Sequence, residues 1–198
     1  VLTLGNFDGV HCGHQAILAR VVDAARAGGV EAVALTFHPH PVAVLRPDRA
    51  PALITALRDR IALMAATGID VLILQHFTPA FAALSAEEFV ERFLVERLGT
   101  SRVVVGHSVS FGHDRRGDAA LLTTLGARFG FTVEVVGPVR VDGVGIAEEP
   151  LEIGRREPGL EAAVLAAAAA GAAIGAHRDV PDLAGGEVRA TDPLASDD

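Results

Sequence analysis

The sequence has no tryptophan, no tyrosine, one cysteine and no long apolar run, and each absence narrows what the chain can be. The single cysteine, Cys12, excludes an internal disulfide and indicates a reducing compartment. With no recognisable signal peptide, we expect a cytoplasmic location. No apolar stretch is long enough to cross a bilayer, so we expect no membrane partner. An aromatic ligand would have to stack on one of nine phenylalanines, on a histidine or on an aliphatic side chain.

Positive charge is also scarce. The chain has 17 Lys and Arg against 25 Asp and Glu, a formal net charge of -8 and a pI near 5.4. These values give no general attraction to polyanions, so we expect no nucleic-acid partner and expect any phosphate ligand to be held locally. A chain of 198 residues, 50% of them hydrophobic, can bury one sizeable core, which favours one domain and leaves the oligomeric state open.

The first fourteen residues, VLTLGNFDGVHCGH, read as a strand, a glycine-rich loop and the start of a helix. Glycines let the backbone approach a ligand closely, and the free amides of a helix start favour phosphate. His11 and His14 lie three residues apart at that helix start. Their imidazoles can donate hydrogen bonds to phosphoryl oxygens, which is what stabilises phosphoryl transfer. A glycine-rich turn without a ligand is the alternative interpretation.

Strands and helices alternate along the rest of the chain. Helical periodicity covers residues 15–27, with a glycine pair as its stop, and recurs at 55–66, 85–98 and 118–129. Short apolar runs predict strands at 32–37, 71–74, 102–105 and 132–136. The alternation predicts an α/β fold, a Rossmann-like doubly wound parallel sheet with its ligand cleft at the carboxyl ends of the strands.

The segment Asn6-Phe7-Asp8-Gly9-Val10-His11-Cys12-Gly13-His14 closely resembles the opening motif of bacterial FAD synthetases. That module is the nucleotidyltransferase half of bifunctional riboflavin kinase/FMN adenylyltransferase. The resemblance implies the HxGH nucleotidyltransferase superfamily and transfer of AMP from ATP to FMN with Mg²⁺, giving FAD and pyrophosphate. It implies that His11 and His14 are catalytic. The further nucleotide-binding positions that it implies are Gly5, Asn6, Phe7, Asp8, Gly9, Gly13, His40, Gly106 and Arg116.

Two later loops extend the resemblance. Residues 37–41, Phe-His-Pro-His-Pro, match a family loop, and their prolines predict an extended segment that presents His38 and His40. Residues 106–117 match a family loop of pattern Gly-x-Asp/Asn-Phe-x-Phe-Gly followed by Arg and Gly, although Ser108 replaces the Asp or Asn and Val109 replaces the first Phe. The flavin side of the cleft is implied at Phe37, Phe77, Phe81, Ser108 and Phe111.

The family's second motif, Ile-Ser-Ser-Thr-x-Ile-Arg, is missing. Aligned without gaps from Ile146, its hydroxyl positions fall on Ala147, Glu148 and Glu149. Carboxylates there would repel a triphosphate unless a cation intervenes. Four interpretations stay open: Glu148 and Glu149 hold a metal ion, catalysis is lost, the phosphate grip is built instead on Arg155 and Arg156, or the glutamates form a solvated helix start.

Residues 1–177 are predicted to form the nucleotidyltransferase-like domain, and residues 178–198, rich in Gly, Pro, Asp and Ser, a mobile tail. No segment resembles the family's riboflavin kinase domain, so no kinase activity is implied for these residues. The expected function is FMN adenylyltransferase. The alternatives are a metal-dependent phosphohydrolase acting on FAD or another nucleotide, a transferase with a different acceptor, and a non-catalytic flavin or nucleotide binder.

Overall fold

The computed structural model describes residues 1–141, 144–146 and 187–189. Its strands are β1 (Leu2–Leu4), β2 (Val33–His38), β3 (Val71–His76), β4 (Arg102–Gly106), β5 (Thr132–Val136), β6 (Val139–Val141), β7 (Val144–Ile146) and β8 (Glu187–Arg189). Its α-helices are α1 (Cys12–Gly28), α2 (Pro41–Leu45), α3 (Leu57–Ala65), α4 (Pro79–Ala82), α5 (Ala86–Phe89) and α6 (Ala119–Phe129). A π-helix, Val90–Arg97, continues α5, and short 3-10 turns lie at Asp8–Val10, Pro47–Arg49 and His113–Arg115.

The main sheet has the strand order β5-β4-β1-β2-β3-β8. Strands β1 to β5 are parallel, and β8 pairs antiparallel with β3. The chain moves outward from β1 through β2 to β3, then returns to the other side of β1 to form β4 and β5. The predicted doubly wound sheet is therefore confirmed. In such a sheet the ligand cleft opens where the order reverses, here between the loops that follow β1 and β4.

Helices cover both faces of this sheet. On β4, Val103 and Val105 pack into one apolar cluster with residues of α5, the π-helix and α6, whereas Val104 packs into another with α1. Neither face of the strand meets water at residues 103–105, so these three residues are all valine and do not alternate with polar ones, whereas Arg102 at the start of β4 is exposed. This two-sided burial fixes the strand ends, and with them the loops of the site.

Helix boundaries follow local chemistry. Gly29 takes a left-handed conformation and its amide bonds back to Ala25, which confirms the predicted stop of α1. Ser85 and Glu88 form a capping box at the start of α5, with both hydrogen bonds 3.0 Å long. The sequence predicts a single α-helix over residues 85–98. In the structure, α5 has only four residues, and the chain continues from it as the π-helix Val90–Arg97.

Three strands were not predicted. β6 and β7 form an antiparallel hairpin, and β8 adds an edge strand in which Val188 pairs with Leu72. β8 lies inside the predicted tail 178–198, of which the structure describes residues 187–189 alone. The domain boundary at residue 177 stays a prediction. Among the described residues, no helix is long and apolar enough to span a membrane.

Candidate functional site

The loop after β1 turns sharply into α1. Phe7, Gly9 and Val10 all have positive φ, at 51°, 72° and 38°. Only glycine adopts this conformation freely, so the other two store strain, each on the order of 1–3 kcal/mol. Their side chains are 1% and 2% exposed, which shows that core packing holds the turn. The Phe7 ring therefore packs in the core under the loop that carries it and offers no exposed surface to a ligand.

His11 and His14 lie together at the start of α1. His11 is the N-cap, and its Nδ1 accepts a 3.4 Å hydrogen bond from the His14 amide. The two rings stack with centroids 3.7 Å apart, and the edge of Phe7 meets His14 at 5.2 Å. The helix thus begins at Cys12, three residues before the start that its periodicity predicts at residue 15. The amides of Cys12 and Gly13, in the first turn, have no acceptor within the helix, and free amides at a helix start favour bound phosphate.

Both imidazoles are neutral in the free protein at pH 7. Burial lowers the pKa of His11 although Asp8 opposes it. Burial and the neighbouring His11 lower the pKa of His14 to about 3, and its Nδ1 is buried without a partner within the described chain. A neutral imidazole donates one hydrogen bond. The pair can therefore stabilise phosphate oxygens by N–H donation, and a bound anion would raise both pKa values.

The depressed pKa predicts that the fold is sensitive to acid. In the unfolded chain the pKa of His14 is about 6.5, so between that value and about 3 the unfolded state binds a proton that the native state refuses. The stabilising effect is complete above pH 6.5 and is lost as the pH falls, by about 1.4 kcal/mol per unit. We expect the wild type to lose about 2 kcal/mol more than His14→Gln between neutral pH and about pH 5.

Urea unfolding at the two pH values measures this difference. His107→Gln, at an exposed histidine, is the matched control and should behave as the wild type does. Equal losses in the wild type and His14→Gln would show that the His14 ring is solvated.

Asp8 holds the loop against the segment before α3. Its Oδ2 accepts from the Ile54 amide at 2.8 Å, and its Oδ1 accepts from the amide and hydroxyl of Thr55, both at 2.9 Å. The Gly9 amide in turn donates to the Thr55 hydroxyl at 3.1 Å. We call these contacts the Asp8 clasp. Both carboxylate oxygens are engaged by protein, so Asp8 shapes the loop.

His40 is less accessible than the proline pattern suggests. It is only 8% exposed and caps α2, its Nδ1 accepting from the Val42 amide at 3.3 Å. Proline at the first helical position favours a helix start, so Pro41 opens α2 and turns His40 inward. The pKa of His40 is lowered, mainly by burial. The negative charge of Asp8 opposes this shift, and the positive charge of Arg60 adds to it. His38, by contrast, is exposed.

Arg60 is a residue of the site that sequence reasoning missed. Its guanidinium donates to the Asn6 carbonyl at 3.0 Å and to the Phe37 carbonyl at 3.2 Å. The Thr36 hydroxyl also donates to Asn6, at 3.1 Å. The signal was present: Arg60 falls on the face of α3 that also carries Met64, and a charge at a core position of a helix calls for an explanation.

An aromatic cluster lies at the carboxyl ends of β2 and β3. Phe81 touches Phe37, Phe77 and Phe89 with centroids 6.0, 5.6 and 6.0 Å away, and Phe89 contacts Phe111 at 5.8 Å. The structure therefore brings together four predicted flavin-side phenylalanines. Three of them, Phe37, Phe77 and Phe81, are partly exposed, whereas Phe111 is 7% exposed and belongs to the core.

The loop after β4 frames the other side. Gly106 ends the strand in a buried position, and Ser108, partly buried, follows it. Phe111 and Gly117 close the loop through two backbone hydrogen bonds of 2.9 and 3.0 Å. Arg116 is exposed and lines a cavity of about 320 Å³ whose other lining residues are Ala83, Ser85, Ala86, Glu87, Glu88, His113 and Leu121. That lining includes neither histidine of the pair, so a nucleotide contact from Arg116 stays a prediction.

Metal binding finds little support here. No group of three or more His, Cys, Asp or Glu side chains that could hold a metal ion occurs in residues 1–141. The predicted ligands Glu148 and Glu149 lie outside the described residues. The described residues thus do not fit a metal site built by the protein.

Comparison with known proteins identifies relatives of this chain. The FAD synthetase family model matches residues 1–149. The bifunctional riboflavin kinase/FMN adenylyltransferase of Pseudomonas fluorescens is 42% identical over 147 residues, which are 74% of this chain and 47% of that protein. Its Escherichia coli K12 counterpart is 38% identical over 133 residues, 67% of this chain and 42% of that protein. This chain therefore spans less than half the length of each.

The fold is also found among solved structures. The crystal structure of a macrolide-efflux protein from Streptococcus pneumoniae matches with a TM-score of 0.63 and 28% sequence identity. The match covers 75% of this chain and 49% of that one.

Proposed function

This chain belongs to the FAD synthetase family, and from that premise we propose that it transfers AMP from ATP to FMN, forming FAD and pyrophosphate. The observation that carries the proposal is the stacked pair His11 and His14 at the start of α1, at the switch point of the sheet. The relatives whose names include FMN adenylyltransferase match 74% and 67% of this chain. The acidic net charge and single cysteine support a cytoplasmic enzyme without a nucleic-acid partner.

In the proposed reaction, a phosphate oxygen of FMN attacks the α-phosphorus of ATP. A new P–O bond forms there, and the bond to the bridging oxygen breaks as pyrophosphate leaves with the electron pair. Negative charge accumulates on the α-phosphoryl and the leaving group. His11 and His14 donate hydrogen bonds to those oxygens, assisted by the free amides of α1 and by close approach of the backbone at Gly5, Gly9 and Gly13. Asn6, Asp8 and the buried Phe7 keep the loop in shape.

The aromatic cluster is the proposed flavin side. Phe37, Phe77 and Phe81 offer partly exposed apolar surface next to the carboxyl ends of β2 and β3. A flat isoalloxazine ring would bury that surface, and in a chain without Trp or Tyr phenylalanine is the aromatic group available for stacking. Ser108 and the loop around Phe111 would close the far edge, and His40 and Arg116 are the outer phosphate contacts.

Mg²⁺ is proposed as a companion of the triphosphate of ATP. This ion is commonly bound through one or two carboxylates and substrate phosphates, and the described residues offer no dedicated cage. Glu148 and Glu149 are the remaining protein candidates. No step above depends on a metal.

The test is product detection. Purified protein is incubated with ATP, FMN and Mg²⁺, and FAD and pyrophosphate are quantified together. We expect both in equal amounts. In a parallel thermal-shift panel, FMN or FAD should raise the melting temperature, because a ligand present at 100 times its Kd stabilises the folded state by about 2.7 kcal/mol. A stabilising effect from another nucleotide, with none from FMN or FAD, would contradict the flavin assignment.

The alternatives have distinct readouts. Release of FMN and AMP from FAD alone, without pyrophosphate, identifies a phosphohydrolase acting on FAD. Transfer of AMP to an acceptor other than FMN identifies a different transferase. Tight binding of FMN or ATP with no turnover under any metal identifies a binding protein.

A further inference from the structure

Arg60 is the largest fully buried side chain among the described residues, with 2% of its surface exposed. It projects from α3 into the space between the ends of β1 and β2. There it binds two backbone carbonyls of the candidate site, that of Asn6 in the loop after β1 and that of Phe37 near the carboxyl end of β2. Its Nε has no hydrogen-bond partner among the residues described.

A buried guanidinium of this kind is costly to keep. Taking a charge out of water is offset well only by a close counter-charge with good geometry. Within residues 1–141, none of the salt bridges involves Arg60. Burial lowers the pKa of Arg60, and Asp8, which opposes that effect, acts from a distance. An apolar side chain of similar length would fill the same space at less cost, so packing alone does not explain an arginine here.

We propose that Arg60 is the positioning residue of the nucleotide site, a role that rests on the proposed function for its substrate. The carbonyl of Asn6 leads into the loop that carries His11 and His14. The carbonyl of Phe37 leads into the segment that carries His38 and His40. By binding both carbonyls, one guanidinium fixes the distance between the two histidine-bearing loops, across which a polyphosphate lies.

The charge of Arg60 serves the same site. Burial is the main cause that lowers the pKa of His38, and the charges of Arg60 and His76 add to it. Burial is also the main cause that lowers the pKa of His40, where Asp8 opposes the effect and Arg60 adds to it. The charged groups that act on His40 thus come from the loop after β1 and from α3. Arg60 thus adds to the effect of burial in favouring the neutral form of both imidazoles, and it contributes positive potential near the loop after β1, where an anion is expected.

The experiment compares Arg60→Met, which removes charge and donors, with Arg60→Lys, which keeps the charge and part of the donors. Arg58→Met, at an exposed arginine of the same helix, is the matched control. Four quantities are measured on the full chain: melting temperature, ATP affinity by calorimetry, kcat for FAD formation, and the pKa of His40 by NMR.

We expect Arg60→Met to reduce kcat by about 10²-fold, the effect of misplacing reacting groups by about an ångström. ATP affinity should fall by about tenfold and the pKa of His40 should rise, while the melting temperature changes little. Arg60→Lys should restore the pKa of His40 and bring kcat back to within about tenfold of the wild type. Arg58→Met should match the wild type in all four.

The proposal is overturned if Arg60→Met matches Arg58→Met in ATP affinity, kcat and the pKa of His40. Should Arg60→Met fail to fold, Arg60→Gln replaces it, and equal values in Arg60→Gln and Arg60→Lys overturn the proposal. A wild type that binds ATP but forms no FAD contradicts the proposed reaction alone, and Arg60 is then judged on ATP affinity and the pKa of His40. A wild type that binds no ATP contradicts both.

Discussion

We expect His14→Ala to lower the rate of FAD formation by about 10²- to 10³-fold, the cost of losing one well-placed donor to a developing oxyanion. The geometry supports a large effect. The ring of His14 is fixed by the stacked ring of His11, 3.7 Å away, and by the edge of Phe7, 5.2 Å away. A donor held in place by neighbours needs no reorganisation during the reaction, and this is why its removal is costly.

Steady-state kinetics of FAD formation measure this loss, with circular dichroism and melting temperature as checks on the fold. Asp23→Ala, at an exposed side chain of α1 away from the site loops, is the control and should retain activity. His11→Ser adds a second comparison, because serine can cap α1 as well as histidine does while it removes the imidazole. Full activity in His14→Ala would place the chemistry away from the start of α1.

Gly112→Ala should lower the free energy of unfolding by about 2–5 kcal/mol, the sum of a left-handed residue penalty and overpacking. Gly112 has a φ of 74°, and a Cβ there would lie 2.6 Å from both the backbone nitrogen and the Cα of Ala86. Neither atom can move without shifting the start of α5. The same glycine is the point at which the loop after β4 rests on that helix, so activity should fall as well.

Gly130→Ala separates the two contributions to this loss. Gly130 caps α6 with a φ of 84°, and a Cβ there meets no atom within 4 Å. Its replacement should cost only the conformational penalty, about 1–2 kcal/mol. Denaturant unfolding of both variants gives the packing contribution as their difference. Equal losses would mean that the loop after β4 moves away from α5 without resistance.

The sequence predicted the sheet well because its central strands are buried on both faces over most of their length. In β4, residues 103–105 have no solvent side, so they appear as an unbroken apolar run, and the helix between two such runs has a single apolar face. The position of the histidine pair was also predictable. A strand, a glycine-rich turn and a helix start are adjacent in the chain, so local chemistry alone places His11 and His14 at the start of α1.

Contacts between distant segments were not predictable. The Asp8 clasp joins Asp8 to two residues that lie 46 and 47 positions later in the chain. Arg60 connects α3 to the backbone after β1 and at the end of β2. Nothing in the local pattern specifies which carbonyl a buried arginine will meet, or that a carboxylate in a phosphate-binding motif will bind loop amides. His40 shows the same limit, since the prolines of residues 37–41 predict an extended segment, whereas Pro41 begins α2.

The position of β1 determines when the site can form. β1 is the first strand of the sequence, yet it lies in the interior of the sheet, paired with β2 about thirty residues later and with β4 about a hundred residues later. Its partner on one side thus emerges from the ribosome early and its partner on the other side late. During synthesis, β1, β2 and β3 can assemble as a half-sheet whose open edge is β1 itself. The histidine loop gains its second wall only once β4 is added, so a nascent chain stopped before residue 102 should be able to hold the first half of its fold but not the completed cleft.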